Sequence, residues 1–318
     1  MKSLQEAIRP TTFIESSKLR NCLGGLDITV AAETFQHTGS FKFRAGYNLA
    51  LNVPNDEILT ASSGNFGQAL AYACQLLGKK CTVVMPATSA RVKIDSVRDY
   101  GATVDLVDTT QITRSARVAE LAAEMPRAYV ASAYDDQLVI DGNATLGAEL
   151  ATHNFDMVVS PIGGGGLLSG IVTGLGRNGS NPIFIGAEPL LGNDAARSLK
   201  AGHLIGNEQE PMTIADGART LSLGKLNWPI IRDNVVDIIE VPDEKIVEAV
   251  RLYFEFANLK CEPTGALTLG AVLTNKEIFK GKKVCLVVSG GNVDREVYQS
   301  LITGNAQPPQ FTEAPQQT

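Results

Sequence analysis

Nine short β-rich apolar runs, separated mostly by segments of helical period, narrow the folds open to this chain more than any other feature. They are Leu26 to Ala31, Glu57 to Ala61, Cys81 to Met85, Val104 to Val107, Tyr129 to Ala131, Met157 to Pro161, Ile183 to Ala187, Ile238 to Val241 and Val284 to Val288. Strands apolar at every position are covered on both faces, and strands that alternate with helices pair in parallel. The pattern therefore predicts an α/β protein with a mainly parallel sheet covered by helices on both sides. The segment after Asn65 shows how regular the helical signal is: Phe66, Leu70, Cys74 and Leu77 share one face, and Gly78 stands where a left-handed stop belongs. With 318 residues, 44% of them hydrophobic, the chain exceeds the size at which one core divides. The two strand groups predict a small lobe, 45–145, inserted in a larger one made of 1–44 and 146–303. The composition turns to Pro, Gln and Asn from Gly304 on, so 304–318 reads as a disordered tail.

A formal charge of -6 with no basic cluster argues against nucleic acid as a partner. An anionic ligand must then be held by local dipoles. The five cysteines are odd in number and form no CxxC pair, as in a reducing compartment, and three histidines are too few for a metal cluster. No signal-peptide block opens the chain and no apolar run is long enough for a bilayer, so the expected address is the cytoplasm with no membrane partner.

Four motifs carry chemistry. Gly163-Gly164-Gly165-Gly166 follows a strand and opens a helix through Leu167, Leu168, Ile171 and Leu175. Consecutive glycines let N–H groups converge on an anion, and the helix N-terminus adds its positive dipole, which makes a phosphate cradle. A tight turn without a ligand is the plain alternative. A dinucleotide-binding dehydrogenase is another, with Glu188 as the ribose acid, although Ser169 stands where that pattern wants glycine. Ser62-Ser63-Gly64-Asn65 ends a strand and starts a helix, offering two hydroxyls, an amide and free N–H groups to a carboxylate, or simply capping the helix. Ser289-Gly290-Gly291-Asn292 repeats this arrangement after the last strand, with a turn as the default reading. Lys42 lies in Thr38-Gly39-Ser40-Phe41-Lys42-Phe43-Arg44, with Ser40 the expected N-cap and Phe41, Ala45 and Leu49 at helical spacing. An amine forms a Schiff base with an aldehyde cofactor only when deprotonated. The helix dipole, Arg44, and burial between Phe41 and Phe43 are the features expected to disfavour its charge.

In this order, Ser40-Phe41-Lys42-x-Arg44, Ser62-Ser63-Gly64-Asn65, Gly163 to Gly166 and Ser289-Gly290-Gly291-Asn292 resemble the fold-type II pyridoxal phosphate enzymes, which implies an α/β fold like that of the tryptophan synthase β chain, two open, mainly parallel twisted sheets covered by helices. The threonine and serine dehydratases and serine racemases are the nearest in pattern. The likeness runs from Arg9 to Asp294 and includes Thr213 to Gly217, Trp228 to Asp233 and Glu262-Pro263-Thr264-Gly265-Ala266. It implies that Lys42 carries pyridoxal 5'-phosphate and acts as base at the substrate Cα. It also implies that Gly163 to Gly166 and Leu167 hold the phosphate, Asn65 contacts the ring hydroxyl and Ser289 the ring nitrogen. Ser62, Ser63, Gly64, Asn65 and Phe66 would bind a small amino-acid substrate, with Ser63 placed to deliver a proton to the opposite face. Glu188, the Gly192 carbonyl and Asp194 match the family's divalent-cation site, suited to Mg²⁺ or Ca²⁺. A homodimer is implied as well. The implied activity is an ammonia-lyase for L-serine or L-threonine, with racemisation as a second or principal activity. A hydroxyaspartate or aryl-serine lyase, or a β-replacement enzyme, would share every cofactor residue. A non-catalytic amino-acid-binding protein would lack the cofactor. Two departures stand out: Phe66 where the family commonly has His, and Asp141-Gly142-Asn143-Ala144-Thr145 where Ala-Gly-Gln-Gly-Thr is usual.

Overall fold

The computed structural model describes residues 2–62, 64–89 and 91–304. Ser63 and the expected tail beyond Gly304 lie outside the described residues. Ten strands form among the described residues: β1 Thr12–Ile14, β2 Ile28–Ala32, β3 Glu57–Ala61, β4 Lys80–Pro86, β5 Thr103–Val107, β6 Ala128–Ala131, β7 Met157–Pro161, β8 Ile183–Pro189, β9 Val235–Val241 and β10 Val284–Val288. All nine expected runs are strands. β1 escaped detection because it has only three half-buried residues, and it is the one antiparallel member, paired with β2. β9 begins three residues before the expected start because Val236, 70% exposed on the sheet's edge, and Asp237 interrupt the apolar run.

The strands divide into a six-stranded sheet of order β1-β2-β10-β7-β8-β9 and a four-stranded sheet of order β5-β4-β3-β6. All pairs except β1 with β2 are parallel. Alternate residues of each strand feed alternate cores. On the larger sheet Val30, Val159 and Leu286 join one apolar cluster, while Ala31, Val158 and Val287 join the cluster on the other face. On the smaller sheet Ile58 and Val83 face one cluster, and Leu59 and Val84 the other. No helix among the described residues is long and apolar enough to cross a membrane.

The chain leaves the carboxyl ends of β3, β7 and β10 directly into the three motifs that carry polar chemistry. Ligands of open α/β sheets collect at such ends. The helix Asn65–Leu77 follows β3 and stops at Gly78 in the left-handed conformation, as its spacing predicts. The helix Gly166–Arg177 follows β7.

Candidate active site

Lys42 is the first residue of the helix Lys42–Asn52, but Ser40 does not cap it. Ser40 is extended and fully buried, and it forms an isolated antiparallel bridge with Gly290, while the Phe41 amide donates to the Ser289 carbonyl at 2.9 Å. With its backbone committed to that bridge, the Ser40 side chain does not fold over the first turn, and the N-cap position falls to Phe41 with no side-chain bond. The same bridge staples the start of the Lys42 helix to Ser289. Ser289 is 2% exposed and its hydroxyl has no hydrogen-bond partner among the described residues, which leaves it free to meet a ring nitrogen.

The Lys42 amine is enclosed by protein, although the residue as a whole is only half-buried, and it donates to the Ala133 carbonyl at 2.7 Å. Its ammonium lies 5.0 Å from the Phe41 ring centroid and 5.6 Å from that of Phe66. Phe43 turns the other way and packs on His37, Tyr47 and Tyr72, so the second aromatic wall is Phe66 rather than Phe43. Burial pulls the amine down to about 8, and the charge of Glu262 opposes that fall. Arg44 is not the cause. Its guanidinium is fully buried and saturated by Glu33 at 2.7 Å, by Glu149 at 2.7 Å and by Thr11 at 2.9 Å, so its charge is neutralised before it reaches Lys42.

Glu262 is the residue that sequence reasoning passed over. It stood in the Glu-Pro-Thr-Gly-Ala motif without a role, and its position before Pro263 at a helix start reads as an ordinary cap. It makes no cap bond. Instead its carboxyl, 3% exposed, accepts from Asn65 Nδ2 at 2.8 and 3.1 Å, and burial pushes it up to about 8. Asn65 Oδ1 accepts from Asn292 Nδ2 at 2.8 Å, and Asn292 also donates to the Thr38 carbonyl at 2.7 Å. A ring hydroxyl contacting Asn65 would therefore share its amide donor with Glu262. Ser62 acts as the helix cap that the sequence left open: its Oγ accepts from the amides of Gly64 and Gly67 at 3.3 and 3.0 Å. Phe66 is buried against Lys42, which places this chain's departure from the usual His in the wall of the site. Ser63 lies outside the described residues.

The glycine run fits a phosphate. Gly165 has φ of +89°, a conformation that L side chains rarely adopt, and a Cβ on Gly164 would sit 2.2 Å from the Tyr134 ring. Outside the helices and strands, no hydrogen bond is donated by the amides of Gly163, Gly164 or Gly165 among the described residues. Ala133 holds the Lys42 amine and the next residue, Tyr134, lies against Gly164, so the amine and the cradle are neighbours.

Glu188 and Asp194 are brought together and buried. Glu188 accepts from the Ala195 and Ala196 amides at 3.0 and 2.9 Å, anchoring the helix Asp194–Ala201. Burial and the neighbouring Asp194 charge push it up to about 8, and burial pushes Asp194 up to about 6. Asp194 Oδ2 is buried and makes no hydrogen bond among the described residues, so it could serve as an oxygen ligand, although no group of three or more His, Cys, Asp or Glu side chains is gathered among those residues.

Comparison with known proteins agrees with this geometry. The family described as "Pyridoxal-phosphate dependent enzyme" matches residues 4–290. An L-threo-3-hydroxyaspartate ammonia-lyase of a Pseudomonas species is 36% identical over 94% of this chain and 95% of its own. A serine racemase of Dictyostelium discoideum is 37% identical over 92% of each chain. The structure of maize serine racemase superposes with a TM-score of 0.86 at 30% identity, covering 95% of this chain and 96% of that one. The buried lysine, the glycine cradle and the matches along nearly the whole chain make this protein a member of the pyridoxal-phosphate dependent enzyme family, with the fold of the serine racemases and threonine deaminases.

Proposed function

We propose that this chain is an ammonia-lyase that converts a small β-hydroxy-α-amino acid, such as L-serine or L-threonine, into a 2-oxo acid and ammonia, with racemisation as a further activity. The observation that carries the proposal is the Lys42 amine, buried between Phe41 and Phe66 with its basicity lowered to about 8, beside a cradle of glycine amides. Lys42 would hold the cofactor aldehyde and then take the proton from Cα. The glycine amides and Leu167 would bind the phosphate, and Ser289 the ring nitrogen. A hydroxyl, unlike a carboxylate, does not keep that nitrogen protonated. When bound, the cofactor supplies the electron sink for the developing carbanion, a weaker one with an unprotonated ring, which favours prompt loss of a β leaving group. Glu262 and Asn292 hold Asn65 from both sides and so orient its amide in the site. Phe41 and Phe66 exclude water from the amine.

Ser63 is proposed as the acid on the opposite face of Cα. Ser63→Ala is expected to remove racemisation and largely spare elimination, and an equal loss of both would refute that division. Glu188, the Gly192 carbonyl and Asp194 are proposed to bind a divalent cation. Mg²⁺ should then raise the melting temperature of the wild type but not of Asp194→Asn. The same proposal includes a homodimer, measurable by light scattering, and a small lobe over 45–145, supported by the separate four-stranded sheet.

A second reading, lysis of 3-hydroxyaspartate, is favoured by the names of two relatives that are each 36% identical to this chain. Purified protein should be yellow, and borohydride should lock a pyridoxyl group onto Lys42. A panel of L-serine, L-threonine and L-threo-3-hydroxyaspartate, scored for 2-oxo acid and for D-enantiomer, separates the readings. A colourless protein with no adduct on Lys42 rejects both.

A further inference from the structure

We propose that Asn143 and Asn227 are positioning residues for the phosphate cradle, turning its amide donors inward from behind. The inference rests on the pyridoxal phosphate reading above and concerns two side chains to which that reading gives no role. Asn227 Nδ2 donates to the carbonyls of Gly164 at 2.8 Å, which the Gly224 amide also bonds at 3.0 Å, and of Tyr134 at 3.0 Å, and Asn143 Nδ2 donates to the carbonyl of Gly166 at 3.0 Å. No peptide bond among the described residues is cis. In a planar trans peptide the carbonyl and the following N–H point in opposite directions. Holding the Gly164 carbonyl therefore aims the Gly165 N–H away from Asn227, and holding the Gly166 carbonyl aims the Leu167 N–H away from Asn143. Between them the Gly165 carbonyl is taken by the Ser169 amide at 2.9 Å, which turns the Gly166 N–H out of the helix end. Three consecutive donors are thus oriented before any anion arrives.

Both asparagines are fully buried, and each leaves its Oδ1 without a partner among the described residues. An unpartnered buried carbonyl destabilises a fold, so neither side chain is accounted for as simple core filling. What each contributes is an NH₂ donor on a glycine carbonyl. The geometry also assigns a purpose to the departure at 141–145. Asn143 comes from the helix Gln137–Leu150, which also carries Thr145, a hydroxyl bonded to Arg44 of the Lys42 helix at 3.1 Å. One helix therefore references the cradle to the segment that bears the amine.

The test is titration of cofactor-stripped, full-length protein with pyridoxal phosphate and with pyridoxal, following imine absorbance. Asn143→Leu and Asn227→Leu are each expected to weaken pyridoxal phosphate at least roughly tenfold, the scale of one hydrogen bond to a charged group, while pyridoxal changes little. Asn143→Gln, which keeps a donor, should retain the preference for the phosphorylated ligand. Equal weakening of both ligands, or of neither, overturns the inference. If the leucine variants do not fold, hydrogen exchange on the wild type decides. The amides of Gly165, Gly166 and Leu167 should be protected by pyridoxal phosphate and by inorganic phosphate but not by pyridoxal, and equal protection by pyridoxal overturns it. A wild type that forms no imine with either aldehyde rejects the cofactor reading itself. One that forms the imine but gains nothing from the phosphate rejects only the cradle.

Discussion

Lys42 and Glu262 are each driven toward neutrality by burial, and each charge would favour the other. The amine is lowered to about 8 and the carboxyl raised to about 8. Removing the Glu262 charge removes the influence that holds the amine up. Glu262→Gln should therefore move the midpoint of imine formation with pyridoxal phosphate to lower pH, and an unmoved midpoint would show that the carboxyl is not felt at Lys42. The raised carboxyl also makes a stability prediction. Its contribution is fully present below the ordinary glutamate range near 4.5 and is lost as pH rises toward about 8, because the native state then binds more protons than the unfolded one. Stability of the cofactor-free protein should fall across that window, by no more than about 1.4 kcal/mol per pH unit from this group, and Glu262→Gln should flatten the slope in thermal unfolding. Lys42→Ala should abolish borohydride trapping and lower turnover by at least ~10² to 10⁴-fold.

At the scale of the element, a lysine in a first helical turn needs that turn held in place, and here the hold is ionic. Arg44 joins Glu33, just after β2, to Glu149 in the helix Gln137–Leu150, with side chains of Arg44 and Glu33 at 0% and 1% exposure. Arg44→Ala would leave Glu33 as an uncompensated buried carboxylate, a change that typically costs about 3–5 kcal/mol. Urea unfolding should show this loss, and adding Glu33→Gln should recover part of it. Because Arg44 is neutralised locally, the same variant, where it folds, should leave the pH midpoint of imine formation unchanged. The sequence reads Arg44 as a source of the lysine's low basicity, and the structure assigns that shift to burial instead. Only the carboxylates facing it show where its charge goes.

For the molecule as a whole, the site is assembled from both sheets. Asn65, after β3 of the smaller sheet, meets Glu262 and Asn292 from the larger, and Lys93 reaches Asp216 at 2.8 Å across 123 residues of sequence. A ligand that bonds to groups from both sheets binds the native state alone, so it stabilises by mass action. Pyridoxal phosphate at ~100 times its dissociation constant should raise the unfolding free energy by about 2.7 kcal/mol. If saturating cofactor leaves the urea midpoint where it was, no such site has formed.

What the sequence determined alone were the features with a local code. Strands covered on both faces read as unbroken apolar runs, the helix Asn65–Leu77 reads from its period and its Gly78 stop, and the turn after β7 reads from four consecutive glycines, of which Gly164 and Gly165 leave no room for a side chain. Ser40 shows the limit of that code: its cap signal was sound locally and was overridden by a backbone bridge to Gly290, 250 residues away in the chain. Glu262 beside Asn65, Phe66 in place of Phe43 against Lys42, and the two asparagines behind the cradle were decided by tertiary structure. Burial and long-range contact set a group's charge state and direction, and neither leaves a period or a spacing in the chain.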